Sequence, residues 1–170
     1  MTLLSRLLGR TTDPREAMRP LWHRVVGLAR EKRWYAEMGV ADTVEGRFEM
    51  ICAVLSLVLL RLEREEGLAQ QMVHLTELFV EDMDGQLRES GVGDVVVGKH
   101  MGRLMSALGG RLGAYREALA QDGNAALAEA AARNLRLAEG AAPDAAAEGL
   151  RALHTRLGAA GSDAVLAGEI

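Results

Sequence analysis

Met50-Ile51-Cys52-Ala53-Val54-Leu55-Ser56-Leu57-Val58-Leu59-Leu60 is an unbroken run of eleven residues without a charge, with Arg47 before it and Arg61 directly after it. A bilayer span takes about 20 apolar residues, so this run is too short to cross a membrane. An apolar stretch of helical length that is greasy on every side belongs at the centre of a helical core, wrapped by neighbours. The residues before it supply a start: Asp42-Thr43-Val44-Glu45 places capping side chains ahead of a Glu in the first turn. The spacing predicts a helix from about 43 to 64 carrying Phe48, Ile51, Leu55, Val58, Leu59 and Leu62.

The same reading extends outward in both directions. Asp13-Pro14-Arg15-Glu16 starts an earlier helix, with Asp as cap and Pro in the first turn. Met18, Leu21, Trp22, Val25, Leu28 and Ala29 follow at helical spacing, and Pro20 either kinks that helix or marks its true beginning. Trp34-Tyr35 ends the segment and Gly39 turns the chain. After a break at Gly67, a third helix carries Leu68, Met72, Leu75, Phe79, Met83 and Leu87, and Gly91 and Gly93 stop it. A fourth is expected to start near Gly98 and presents Met101, Leu104, Met105, Leu108, Leu112, Tyr115 and Leu119. Asp122-Gly123-Asn124 turns the chain with Asn124 as cap. An Ala-rich region follows, with helices to about Ala138 and from Pro143 to about Leu157. The expectation is an all-α, single-domain bundle of about six helices with short connections. An amphipathic segment 1–12 precedes the helical domain of 13–160, and a C-terminal tail 161–170 is expected to fray.

Composition agrees. In 170 residues only 4% are aromatic, β-branched alternation is nearly absent, and the Val95-Val96-Val97 triplet is too short to found a sheet. Twenty Lys and Arg against 24 Asp and Glu leave a net charge of −4, and no nucleic-acid-binding motif is present. The single cysteine, Cys52, excludes a disulfide framework and a Cys-based zinc site. It lies inside the apolar run, where a thiol is a small inert hydrophobe. Helix three lines up His74, Glu77, Glu81 and Asp84 on one face, but no Glu-x-x-His pair of the di-iron kind exists. Pairing of these acids with arginines across helices is the favoured account, with Arg47, Arg88, Lys99 and Arg111 as the available partners. No complete nucleophilic set is found, so no enzyme, cofactor or metal is expected.

Three blocks carry a resemblance. The first is Trp34-Tyr35-x-x-Met38-Gly39-Val40-x-Asp42-Thr43-x-x-Gly46-Arg47-Phe48-Glu49-Met50. The second is Phe79-x-x-Asp82-Met83-Asp84-x-x-Leu87-Arg88-Glu89-x-Gly91-Val92-Gly93-Asp94. The third is Lys99-x-Met101, then Gly110-Arg111-Leu112-x-x-Tyr115-x-x-Ala118-Leu119, with Arg133-Asn134 beyond. Together, over residues 20–137, they resemble the ubiquinol–cytochrome c chaperone family, the assembly factors of respiratory complex III. The chain departs from the family pattern at Gly98 and Gly109, where a Pro and an aromatic are common, and its Ala-rich end matches poorly. The resemblance implies a non-enzymatic, all-helical protein that binds newly made cytochrome b. A second assembly factor and the ribosome are further partners it suggests. The small-residue-rich, Arg-over-Lys composition looks bacterial, so the cytoplasm, at or near the inner membrane, is favoured over the mitochondrion.

The motif residues take physical roles on this reading. Asp42 and Thr43 cap helix two, and Gly46 leaves room for close approach of another backbone. Arg47 is expected to reach Asp82 or Asp84 of helix three as a bidentate clamp. Gly91, Gly93 and Asp94 turn the chain and cap helix four, which brings Lys99 and Arg111 alongside. Arg47, Phe48, Glu49, Asp82, Asp84, Arg88, Lys99, Arg111 and Tyr115 form the candidate client-binding cluster. Met50, Met72, Met83, Met101 and Met105 are candidates for an adaptable apolar surface.

A reading from another class is a peripheral lipid- or quinone-binding protein, using Leu3, Leu4, Leu7 and Leu8 with Arg6 and Arg10 as a membrane-surface helix. That alternative predicts that the whole chain floats with liposomes and that a version beginning at Asp13 does not; flotation of neither removes it.

Overall fold

Pro20 settles where the first α-helix begins. The computed structural model describes residues 13–89 and 94–170, giving the backbone course alone for 87–89 and 94–101. The segment 1–12 and the turn glycines Gly91 and Gly93 lie outside the described residues. Pro14–Met18 is a short 3₁₀ turn, its first amide bonded by the Asp13 carboxylate, which accepts from the Arg15 N–H at 2.9 Å. Helix α1, Arg19–Ala29, then starts with Pro20 in its first turn, where a missing N–H is harmless. Helix α2, Lys32–Ala36, is a single turn that buries Trp34, whose indole N–H donates to the Leu28 carbonyl at 2.8 Å.

Helix α3, Val44–Leu62, is the axis of the molecule. The Thr43 hydroxyl accepts from the Gly46 N–H at 3.0 Å, and every residue from Met50 to Leu62 is buried. Ser56, the polar residue in the apolar run, donates back to the Cys52 carbonyl at 2.7 Å. Four further helices pack on it: α1, α4 (Ala69–Glu89), α5 (Asp94–Leu119) and α7 (Asp144–Ala159). Helix α6, Ala125–Asn134, packs on α5 and α7, and the short α8, Ser162–Leu166, packs on α1. The protein is all-α, with six helices of seven residues or more and no strand among the described residues.

Four boundaries differ from the sequence reading. Helix α5 begins at Asp94, not near Gly98, and takes in Val95–Val97. β-Branched residues lose only a few tenths of a kcal/mol each in a helix, too little to delay the start of one this long. Helix α6 stops at Asn134, because Leu135 turns extended and the chain docks on the 39–41 turn. There the Ala41 N–H donates to Arg136 O at 2.8 Å and the Ala138 N–H donates to Gly39 O at 2.9 Å. Asn124 precedes α6 but makes no capping bond; its side-chain oxygen accepts from Arg151 Nε at 2.6 Å. The tail does not fray: Val165 is fully buried, and Arg24 Nε donates to the Ile170 carbonyl at 2.6 Å.

Arg61 is a buried charge that the sequence reading treated only as a flank. Its guanidinium donates to Leu157 O and Ala160 O, both at 3.0 Å, and to Glu65 Oε1 at 3.0 Å. It thereby satisfies carbonyls at the C-terminal end of α7, which its own helix cannot reach.

Two glycines have opposite tasks. A Cβ at Gly149 would stand 2.6 Å from the Trp34 ring and 2.5 Å from Met38 Sδ, so α7 needs the bare backbone to seat Trp34. A Cβ at Gly109 meets nothing within 4 Å. Gly149→Ala should therefore lower stability by about 1–3 kcal/mol through overpacking, and Gly109→Ala should raise it by about 0.5–1 kcal/mol through helix propensity. Urea unfolding of the two variants checks both signs.

Candidate functional site

The apolar stripe of α3 does not end where its covering neighbours end. Val44, Phe48 and Ile51 are spaced four and three apart, so they share one face. Ile51 is buried, Phe48 half-buried, and Val44 is 83% exposed. Met83 from α4 and Leu104 from α5 complete the apolar floor of an open cleft of about 430 Å³ between the three helices. Arg30, Glu45, Arg47, Glu49, Gln86 and Arg136 line its polar part. Phe48 is held in place by stacking on Phe79 at 6.3 Å, and Phe79 in turn takes the edge of Trp22 at 6.0 Å.

Arg47, Phe48 and Glu49 of the predicted cluster thus come together at the cleft, but the clamp expected for Arg47 is not formed. Its Nε donates to Asp42 at 2.6 Å, five residues earlier, and both side chains are more than half exposed. Its guanidinium also lies 5.9 Å from the centre of the Tyr35 ring. The bond from Arg47 holds the Asp42 carboxyl below its ordinary range. Helix capping falls to Thr43 alone, while Asp42 holds Arg47. Asp82 accepts instead from the Trp22 indole N–H at 2.9 Å. Asp84 is on α4 beside the cleft residue Met83. One acid of α4 does pair with arginines across helices, but with those at the start of the chain's first helical segment: Glu81 meets Arg15 at 2.8 Å and Arg19 at 3.7 Å. Gly46 does sit at a close approach, since a Cβ there would collide with the Ala41 carbonyl oxygen. The side chains of Arg88, Asp94 and Lys99 lie outside the described residues.

Glu49 connects the cleft to the core behind it. One carboxylate oxygen stands 3.6 Å from Arg111 Nη2 and the other accepts from the Arg136 N–H at 2.5 Å. Arg111 also donates to Asn134 O at 3.3 Å, tying α5 to the end of α6. Deeper in lie Tyr115 and Cys52, both fully buried. The Tyr115 hydroxyl has no hydrogen-bond partner among the described residues, and burial raises its pKa above the ordinary phenol range. Burial pushes the Cys52 thiol up to about 12, the opposite of what a nucleophile needs. Among the described residues, no group of three His, Cys, Asp or Glu side chains could hold a metal ion. What the arrangement offers chemically is a surface: an adaptable apolar floor with charges around it.

Arg30, Gln86 and Arg136 are cleft residues without a role in the sequence analysis, and Leu104 enters there only as part of a helix face. The one signal available was the Val44–Phe48–Ile51 spacing, which carries the apolar face of α3 a full turn beyond the run that the core can cover.

The chain matches the family model described as ubiquinol-cytochrome C chaperone over residues 36–169. That range takes in α3 with its cleft residues and continues through the Ala-rich C-terminal helices, where the sequence reading carried nothing over. Comparison with curated proteins gives no significant match. Among solved structures, the crystal structure of the Cbp3 homolog from Brucella abortus is similar: 31% identity, 99% of this chain and 95% of that one covered, and a TM-score of 0.79.

Two outcomes follow from the geometry. Arg111→Ala should destabilise the protein by roughly 1–3 kcal/mol, since it removes the cation beside the largely buried Glu49 carboxylate and leaves it only the Arg136 N–H, whereas Arg47→Ala should leave the melting temperature where it was; thermal unfolding compares them directly. Cys52 at pH 8 is thiolate in only about one molecule in ten thousand, so iodoacetamide should fail to label the folded protein and should label it fully in guanidinium, as intact mass spectrometry would show.

Proposed function

The chain belongs to the ubiquinol-cytochrome C chaperone family, and from that premise we propose that it is a non-enzymatic assembly factor that holds newly made cytochrome b on its way into ubiquinol–cytochrome c reductase. The observation that carries this reading is the open cleft whose floor is Val44, Phe48, Ile51, Met83 and Leu104. An unassembled membrane protein presents apolar helix faces that have no partner yet. A chaperone for it needs a concave apolar surface that is accessible, adaptable and bordered by charge to stay soluble. Met83 and the half-buried Phe48 provide adaptable contact area, and Val44 stands exposed at the mouth.

No helix among the described residues is long and apolar enough to cross a membrane. The protein on this reading meets its client from the cytoplasmic side of a bacterial inner membrane and does not insert beside it. The fixed core around α3 keeps the cleft preformed, so binding does not require the chaperone to order itself first. A second assembly factor or the ribosome fits the same scheme as a partner on another face.

The test is in cells. A photo-crosslinking amino acid at Val44 should capture cytochrome b in pulse-labelled cells, and the same group at Gln121, near the opposite end of α5, should not. Val44→Glu changes an exposed side chain, so the protein should melt normally while cytochrome b and complex III fall and other respiratory complexes persist. Capture of cytochrome b at Gln121 but not at Val44, or unchanged cytochrome b in the Val44→Glu strain, contradicts the reading.

A further inference from the structure

Beside the cleft, across a ridge formed by Arg30 and Arg47, lies a second open pocket of about 490 Å³, lined by Arg30, Lys32, Tyr35, Ala36, Asp42 and Arg47. Its charge is not balanced. Asp42 is the one acid in its lining, and that carboxylate is already engaged by Arg47 at 2.6 Å. Arg30 and Lys32 are exposed and form no ion pair among the described residues, and the same holds for the guanidinium of Arg136 on the cleft side, where Glu45 and Glu49 also line the wall. Five arginines elsewhere, Arg15, Arg19, Arg33, Arg61 and Arg116, stand within 3.0 Å of a carboxylate, whereas here three cations share one pocket with a single acid. In a protein of net charge −4, a pocket lined by three cations and one acid is locally positive, and such a site selects anions.

Two further side chains say what kind of anion. Tyr35 is half-buried at the pocket floor, with its hydroxyl donating to Ala29 O at 2.7 Å and its ring against Arg47. Val44, at 83% exposure, stands two residues after Asp42. Cations around an amphipathic aromatic ring and a protruding aliphatic side chain match the boundary of a bilayer, where phosphates, glycerol and acyl chain lie in that order. An acidic protein segment is the less suitable occupant. On the reading proposed above, the client is a polytopic membrane protein whose untranslocated loops are rich in Lys and Arg, and a cationic face repels such loops.

We propose that this face, Arg30, Lys32, Arg47 and Arg136 about Tyr35 and Val44, docks on anionic phospholipid headgroups. Docked so, the protein lays the mouth of the cleft at the membrane surface, where an inserted helix bundle is accessible from its edge. The contact is reversible, since exposed cations add modest, salt-sensitive attraction and a single valine adds little apolar area. It uses residues 30–47 and 136 and is separate from the Leu3–Leu8 route.

The test uses the purified full chain and protein-free vesicles, so it needs no client and can fail independently of the cytochrome b reading. Co-sedimentation is measured with phosphatidylcholine vesicles and with vesicles containing about a third phosphatidylglycerol. The expected result is binding to the anionic vesicles only, lost at high salt. Each cation removed should weaken it about fivefold, so Arg30→Gln with Lys32→Gln should weaken it roughly 25-fold, and Lys32→Gln alone about fivefold. Both side chains are exposed, and circular dichroism melting confirms that the variants are folded. Equal binding to neutral and anionic vesicles overturns the proposal, as does undiminished binding by the double variant. So does a protein that ignores anionic vesicles yet binds an acidic peptide through the same two residues.

Discussion

Burial of α3 on every side is the constraint from which the rest follows. A helix with apolar residues all round cannot leave any face in water, and thirteen consecutive residues from Met50 to Leu62 are enclosed. Enclosing them takes four other helices, and those helices are amphipathic because they have only one side to cover. The hydroxyl of Ser56 is tolerated because it bonds within its own turn, and the thiol of Cys52 because it behaves as a small hydrophobe. At its C-terminal end α3 hands its enclosure over to Arg61, whose buried guanidinium binds the last carbonyls of α7.

At its N-terminal end the enclosure stops one turn early, and that mismatch makes the cleft. The stripe Val44–Phe48–Ile51 continues past the point where α4 and α5 close over it, so the cleft floor is the same helix face as the core. Rigidity comes with that continuity. Phe48 is braced through Phe79 by Trp22, and Glu49 is braced by Arg111 and the Arg136 amide. A surface built this way can offer apolar area to a client without collapsing on itself.

Much of this was legible in the sequence. Length and lack of charge fixed the place of the Met50–Leu60 run, helical spacing gave the bundle, and Pro20, Gly39, Gly67 and Gly123 marked real breaks, the three glycines all at positive φ. The motif Arg47-Phe48-Glu49 pointed to the cleft. The partners of charged side chains were not legible. Arg47 found Asp42, and Glu81 found Arg15 and Arg19, because long flexible side chains take the carboxylate that the fold places within reach, and sequence spacing does not encode reach between helices. The ends of α5 and α6 were missed for a related reason: a weak local preference at Val95–Val97 yielded to helix continuation, and a tertiary bond between Ala41 and Arg136 drew residues 135–138 out of the helix. The tail is expected to be loose because it is a terminus, yet its contacts with α1 depend on Val165 and Arg24, which only the fold brings together.

The most direct test of the central claim, that the uncovered turn of α3 is the client surface, is hydrogen–deuterium exchange on the complex of this chain with cytochrome b against the chain alone. The account predicts new protection confined to amides of residues 44–51 and the cleft-facing parts of α4 and α5, with α6 and α8 unchanged. Protection confined to α6–α8, with residues 44–51 exchanging as in the free protein, would contradict it.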